Sequence, residues 1–195
     1  MKTVARVTFR LLALFALISA GLFGASTAAQ AAGTPDLQVA ATSSNPLYGE
    51  TGAVSGPASL GSGQPKGYNL SFRVVLPAGI TYAGGGEYAP TVIANQPGTG
   101  QTTLLFNNIS DLVDDSSQAV TFNVTHDQSL YDVGSTYDIQ YQAFINTDPR
   151  IMPSFDAAGA PVPASSTGSA ATSTTSKVNA IKISKSEPSR EGEIL

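Results

Sequence analysis

His126 is the only histidine in the chain, and Asp127 follows it directly with several serines close by. Serine, histidine and aspartate together suggest acyl-transfer chemistry, which needs a nucleophile held in a strained, supported turn. The sequence contains no G-x-S-x-G motif, and a lone histidine at a strand end reads as a surface residue. Asp111, Asp114, Asp115, Asp127 and Asp132 crowd one region. Calcium is their functional reading, because hard cations take several oxygen ligands. Their spacing fits no EF-hand loop, and solvated turn residues are the competing reading. Tyr82, Tyr88, Tyr131, Tyr137 and Tyr141 offer an aromatic platform for a carbohydrate. Tyr137 and Tyr141 fall on one face of an alternating run, which assigns them to the core. Tyr82 and Tyr88 flank Gly84-Gly85-Gly86, and with Asn95 in the next loop they are the candidate ligand residues. The chain has no tryptophan and no cysteine. Thiolate catalysis, cysteine-ligated zinc and a disulfide framework are therefore excluded. No catalytic residue, metal ligand or cofactor is assigned, and a non-enzyme is expected.

Ten lysines and arginines stand against 14 acidic residues, giving a net charge of -4. No basic patch is visible, so nucleic acid is not an expected partner.

The elements that must position these residues begin after an export signal. Lys2, Arg6 and Arg10 form a positive start, Leu11 to Gly24 an apolar run, and Ala29-Gln30-Ala31 a small-x-small cleavage site. Residues 1–31 are read as a signal peptide. The alternative, a membrane anchor, needs about 20 apolar residues, and this run is shorter with no charged cluster after it. The mature chain is expected to have no membrane span and to be secreted, at the cell surface or in the wall.

The remainder is about one domain's worth of chain, rich in glycine, proline, serine and threonine. Tyr68, Leu70, Phe72 and Val74 alternate with Asn69, Ser71 and Arg73, which puts the apolar set on one face and the polar set on the other. Val120, Phe122 and Val124 repeat the pattern, as do Tyr137, Ile139, Tyr141, Ala143 and Ile145. Weaker strands are expected at Asp36–Thr42, around Gly52–Leu60, at Ile80–Tyr82, at Thr91–Ala94 and at Thr102–Phe106. Ile109–Val113 adds a few packed apolar residues. Turn clusters separate them. Ala164 to Ser176 reads either as a flexible linker or as a Thr-rich strand. An edge strand over Ser169–Ala180 is the preferred reading. No crossover helix is visible, so the fold class is an all-β, immunoglobulin-like antiparallel sandwich with one buried and one wet face per sheet. The sandwich is assigned to 33–176, and 177–195 to a connecting strand or the start of a following repeat.

Four segments carry a family resemblance: Tyr68–Phe72 with Leu76–Tyr82, Asn107–Leu112, Tyr131–Tyr137, and Thr147–Arg150 running on to Phe155–Gly159. In this order they resemble the immunoglobulin-like repeats of Gram-positive, especially actinobacterial, surface proteins, the DUF11-like or isopeptide-forming group. The resemblance implies a structural or adhesive role, spacing or presenting other domains, with neighbouring repeats or a surface ligand as partners. The alternative is a module that binds a glycan or host protein through the loops at Gly84–Tyr88 and Asn95–Gly100. Ala180–Ser189 resembles the opening strand of a following repeat, so the chain is expected to be a fragment of a longer protein. No sorting motif is visible. The resemblance also raises a self-formed Lys–Asn or Lys–Asp isopeptide bond, whose lysine must be buried and neutral. Here Ala40 and Ala41 stand where the family carries that lysine, and between residues 33 and 176 the only lysine is Lys66. Lys182 and Lys185 remain as candidate reactive lysines of a following repeat.

Overall fold

In the computed structural model, residues 34–180 are described. Their strands are β1 (Leu37–Val39), β2 (Thr42–Ser43), β3 (Gly52–Leu60), β4 (Gly67–Leu76), β5 (Ile80–Tyr82), β6 (Thr91–Ile93), β7 (Thr102–Leu112), β8 (Ser117–His126), β9 (Thr136–Asn146) and β10 (Gly168–Lys177). One sheet has the order β1-β3-β8-β5, with β2 also on β3, and the other the order β10-β9-β4-β7-β6. Every strand pair is antiparallel. No described residue is helical, so the all-β sandwich read from the alternation is the fold. The signal peptide expected at 1–31 and everything from residue 181 lie outside the described residues.

The alternation places the core as expected. Val54, Ala58 and Leu60 of β3 and Val120, Phe122 and Val124 of β8 face Leu70, Phe72, Val74 and Leu76 of β4 and the odd-numbered residues of β9. The layers come into close contact at Gly56 and Tyr141. Tyr141 is fully buried, and a Cβ on Gly56 would collide with the Cδ1–Cε1 edge of its ring. Its other neighbours include Phe122, stacked at 6.3 Å, which in turn lies 5.8 Å from Phe106. The Tyr141 hydroxyl has no hydrogen-bond partner, and burial pushes its pKa far above the ordinary tyrosine range.

Three expectations need correction. The strand expected over Asp36–Thr42 is broken into β1 and β2. The break lies opposite Pro57, which accepts from Ala40 N but has no N–H to return. The segments Thr102–Phe106 and Ile109–Val113 join in one strand, β7, which ends at Leu112 and is bulged at Asn108 (φ 48°), whose N–H donates to Ser71 Oγ. The outer face of the second sheet is wet only in part, since Asp138 and Gln140 of β9 and Ser173 and Thr175 of β10 stay exposed while its other half is covered. Residues 147–167 form a strap that crosses it and covers Ser71, Val75, Leu105 and Phe144.

The strap is pinned from below. Asn69 Nδ2 donates to Pro149 O (3.0 Å) and Ile151 O (2.7 Å). Arg73 Nε donates to Gly159 O (2.6 Å), while its Nη1 donates to Gln142 Oε1 (2.9 Å). Phe155 meets Phe144 edge-on at 5.4 Å. Gly159 (φ 77°) is required where it stands, since a Cβ there would lie 2.8 Å from Thr103 Cγ2. Burial lowers the Arg73 pKa, with Asp156 opposing the shift.

β6 covers only Thr103–Leu105 of β7. The edge from Phe106 onward carries the Asn108 bulge and Asp111, devices that discourage pairing with another chain.

Two outcomes test this packing in urea titrations. Gly56→Ala should cost about 1–3 kcal/mol by overpacking against Tyr141, whereas Tyr141→Phe, which removes an unpartnered buried hydroxyl, should be neutral or stabilising. Arg73→Ala should expose the strap, so that limited proteolysis cuts within 147–167 before any cut elsewhere.

Candidate functional site

A cleft of about 410 Å³ opens where β5 and β8 of the first sheet approach the β6–β7 loop of the second. Thr81, Thr125, Asn95, Asp127, Gly100 and Leu130 are among its lining residues. The Thr81 and Thr125 hydroxyls pair across β5 and β8 at 2.8 Å. Asn95 is held at φ 50° in its loop, where Gln96 O accepts the N–H groups of Thr99 and Gly100. The cleft therefore offers hydroxyls, an amide and one exposed apolar side chain, a set suited to hydrogen bonding a small polyol.

Of the three sequence candidates, only Asn95 lines this cleft. Tyr82 is half-buried with its ring 6.0 Å from Phe122, and the Tyr88 hydroxyl accepts from Gln118 Nε2 at 3.2 Å. Both pack against the core. The glycine run between them lies along β8. Ala83 N donates to Asn123 O and Asn123 N donates to Gly84 O, while Gly86 (φ 85°) rests on the Thr121 carbonyl, where no side chain fits.

His126 also lines the cleft, and its expected surface position is overturned: it is 8% exposed, on the inward face at the end of β8. Gly49 N donates to its Nε2 at 3.1 Å, so the neutral ring carries its proton on Nδ1. Nδ1 is buried without a partner, and the Tyr48 ring lies 5.8 Å away. Asp127 turns to its own loop, where its Oδ1 accepts from Ser129 Oγ (2.7 Å) and Ser129 N (2.8 Å), bonds that lower its pKa. Histidine, aspartate and serine are thus each engaged outside any relay.

The aspartates are dispersed, with local partners. Asp111 pairs with Lys66 at 3.0 Å and accepts from Asn69 N, and Asp114 accepts from Gln64 N. Partial burial pushes the Asp111 carboxyl up, but the Asn69 N–H and the Lys66 ammonium outweigh it and hold its pKa low. Among the described residues no three metal-ligating groups come together. The only lysines there are Lys66 and Lys177, and neither is buried. Asp111 raises the Lys66 pKa, the opposite of what a nucleophilic amine needs. Lys182 and Lys185 lie outside the described residues.

No family model and no curated protein matches the chain. Among solved structures it is similar to a membrane-anchored protein from Corynebacterium diphtheriae (11% identity, TM-score 0.42) and to the T6 backbone pilin of Streptococcus pyogenes (9% identity, TM-score 0.38). The matches take in 77% and 73% of this chain but only 37% and 36% of theirs. A protein that catalyses macrocyclization in alchivemycin A biosynthesis is similar at 10% identity and a TM-score of 0.34, over 75% of this chain and 91% of its own. At these scores the likeness assigns neither family nor activity.

His126→Ala should cost about 1–3 kcal/mol, because it removes a buried ring that packs against Tyr48 and accepts from Gly49 N. A thermal or urea melt checks this against Thr125→Ala on the exposed rim, where the change should stay below about 0.5 kcal/mol.

Proposed function

We propose that this chain is a non-catalytic spacer module of an exported surface protein, built to transmit tension between its neighbours on either side. The reading draws on the export signal and on the resemblance to immunoglobulin-like repeats of Gram-positive surface proteins. Its main support is a clamp between the first and last segments of the fold.

Residues 43–48 run parallel to residues 174–179. Ser43 Oγ meets Thr174 Oγ1 at 3.1 Å, Ser176 Oγ donates to Ser44 O, and Lys177 N donates to Asn45 Oδ1 at 2.9 Å. Asn179 N then donates to Pro46 O (2.8 Å), and Tyr48 N donates to Asn179 O (2.9 Å), which closes a parallel bridge, Leu47 to Asn179. The incoming segment at Pro35 lies against Gly168, the start of β10, while the chain leaves past its end at Lys177. Entry and exit are therefore about 33 Å apart along a ten-residue strand. A pull on both ends slides two parallel segments past each other, and their bonds are strained together instead of one after another. No covalent bond is needed for this, and among the described residues no buried lysine is present to form one.

A second reading, glycan or host-protein binding, is favoured by the hydroxyl-lined cleft at Asn95. The two readings separate in ligand screens, where replacing 95–100 should abolish binding if the cleft is the functional site and leave the response to tension unchanged.

The direct test is constant-force unfolding with the pull applied at Thr34 and Ala180. Asn179→Pro deletes the Asn179 N–H bond to Pro46 O and the longer Nδ2 bond to Asn45 O, and should raise the unfolding rate at least about fivefold, taking the backbone hydrogen bond alone as about 1 kcal/mol. Thr81→Ala, which breaks a hydroxyl pair off the load path, should leave that rate unchanged. Equal responses from the two variants would remove the clamp as the element that resists force.

A further inference from the structure

The turn at 47–50 stands between the exit segment and the end of β8. Glu50 N donates to Leu47 O at 2.9 Å, which closes the turn with Gly49 at φ 83°. On one side Tyr48 N donates to Asn179 O. On the other, Gly49 N donates to His126 Nε2 at 3.1 Å and the Tyr48 hydroxyl donates to Gln128 O at 3.3 Å. His126 is thus the shorter of the two ties that hold this turn to the first sheet.

That tie exists in one protonation state only. A neutral imidazole nitrogen accepts a hydrogen bond, whereas imidazolium carries N–H on both nitrogens and accepts none. A proton on Nε2 would set two donors face to face. Nothing near the ring is arranged to compensate the charge. Among the described residues no carboxylate bonds to it, and Nδ1 is already buried without a partner. Asp127 gives its Oδ1 to Ser129, and Tyr131, in the same loop, donates its hydroxyl to Ala78 O. Tyr48 offers the ring only its own ring, at 5.8 Å, and Glu50 at the end of the turn is exposed and makes no bond to it. From β9, Tyr137 packs edge-on to Tyr131. β5 places Ile80 opposite His126 and carries no charge. A buried charge without a partner is costly.

We propose that His126 is an acid-operated latch: proton uptake at Nε2 releases the turn at 47–50 from β8 and loosens its hold on the exit segment at Asn179. The ring lines the cleft beside Asn95, so solvent hydronium has a route to it. Gly49 is exposed, so its freed N–H passes to water and the core need not unfold. The closed turn requires a neutral ring and the open turn lets the ring charge. Closure is therefore favoured above the ordinary imidazole range, near pH 6.5, and weakens as the pH falls below it. The latch acts whether or not the parallel segments carry force.

Amide hydrogen exchange of the full chain at pH 7.5 and 5.0, each rate divided by that of an unstructured peptide, tests it. Opening at Tyr48 and Gly49 should rise about tenfold or more at the lower pH. The amides of Phe72 and Tyr141 should keep their protection. The rise should track protonation of the His126 ring, followed by its Cε1 proton resonance in the same samples. His126→Gln keeps a neutral acceptor for Gly49 N and should abolish the pH dependence. Equal opening at the two pH values in the unaltered chain would overturn the latch. The same rise in the glutamine variant would do so too, as would a rise shared by Phe72 and Tyr141. If glutamine leaves the turn open at both pH values, the midpoint decides: opening whose midpoint departs from that of the ring overturns the latch, and coincidence supports it. A clamp that fails under force leaves all of these readouts unchanged, so the two ideas fail separately.

Discussion

The sandwich is organised by the contact between Tyr141 and the bare backbone of Gly56. A ring can lie flat on the opposite sheet only where that sheet has no side chain, and β3 supplies the gap midway along its length. The same complement recurs toward one end, where Gly52 of β3 opens beneath the Tyr137 hydroxyl. Large residues on β9 are thus met by small ones on β3. The spacing of the sheets follows from this division of volume, since interiors pack to crystal-like density. The Tyr141 hydroxyl lies buried without a hydrogen bond, a cost accepted where a phenylalanine would leave none.

The second sheet is buttressed on its far side, which gives the fold three layers over part of its area. Arg73 has a central role. It rises from the middle of β4 and holds the strap's turn at 156–160 by the Gly159 carbonyl and a neighbouring strand by Gln142. Asp156 shapes that turn by accepting from the N–H groups of Ala158 and Ala160 at 2.9 and 2.8 Å. The strap is over 20 residues long with almost no pairing of its own, and a loop of that kind persists only when its polar backbone is satisfied by the surface it covers.

Most of the architecture was legible in period-two alternation, because that pattern records which face of a strand is apolar. β4, β8 and β9 were read from it directly. The edge strand near the end was also recoverable, because Val178 resumes apolar character after the Thr-rich run. What escaped was whatever depends on a distant partner. Asn69, Ser71 and Arg73 look like a solvent-facing row, and nothing local says that residues 80 positions away will cover them. His126 looked exposed for the same reason: its acceptor role is set by Gly49, which alternation does not link to it. The cleft was half legible. Asn95 stood out by loop composition, while Thr81 and Thr125 were invisible because a threonine on a wet strand face is ordinary. Tyr82 and Tyr88 attracted attention as aromatics beside glycines, yet those glycines serve the close approach of the segment to β8.

The separation of the two ends of the fold has a consequence for how such a unit is combined with others. A domain whose ends lie side by side can be grafted into a loop of a host, or re-circularised with a few linking residues. Here a closing linker would have to span the full length of β10, at least about ten extended residues. The natural grammar of this sandwich is therefore concatenation: it lengthens a chain by its own height each time it is used, and it fits poorly as a parenthesis inside another fold.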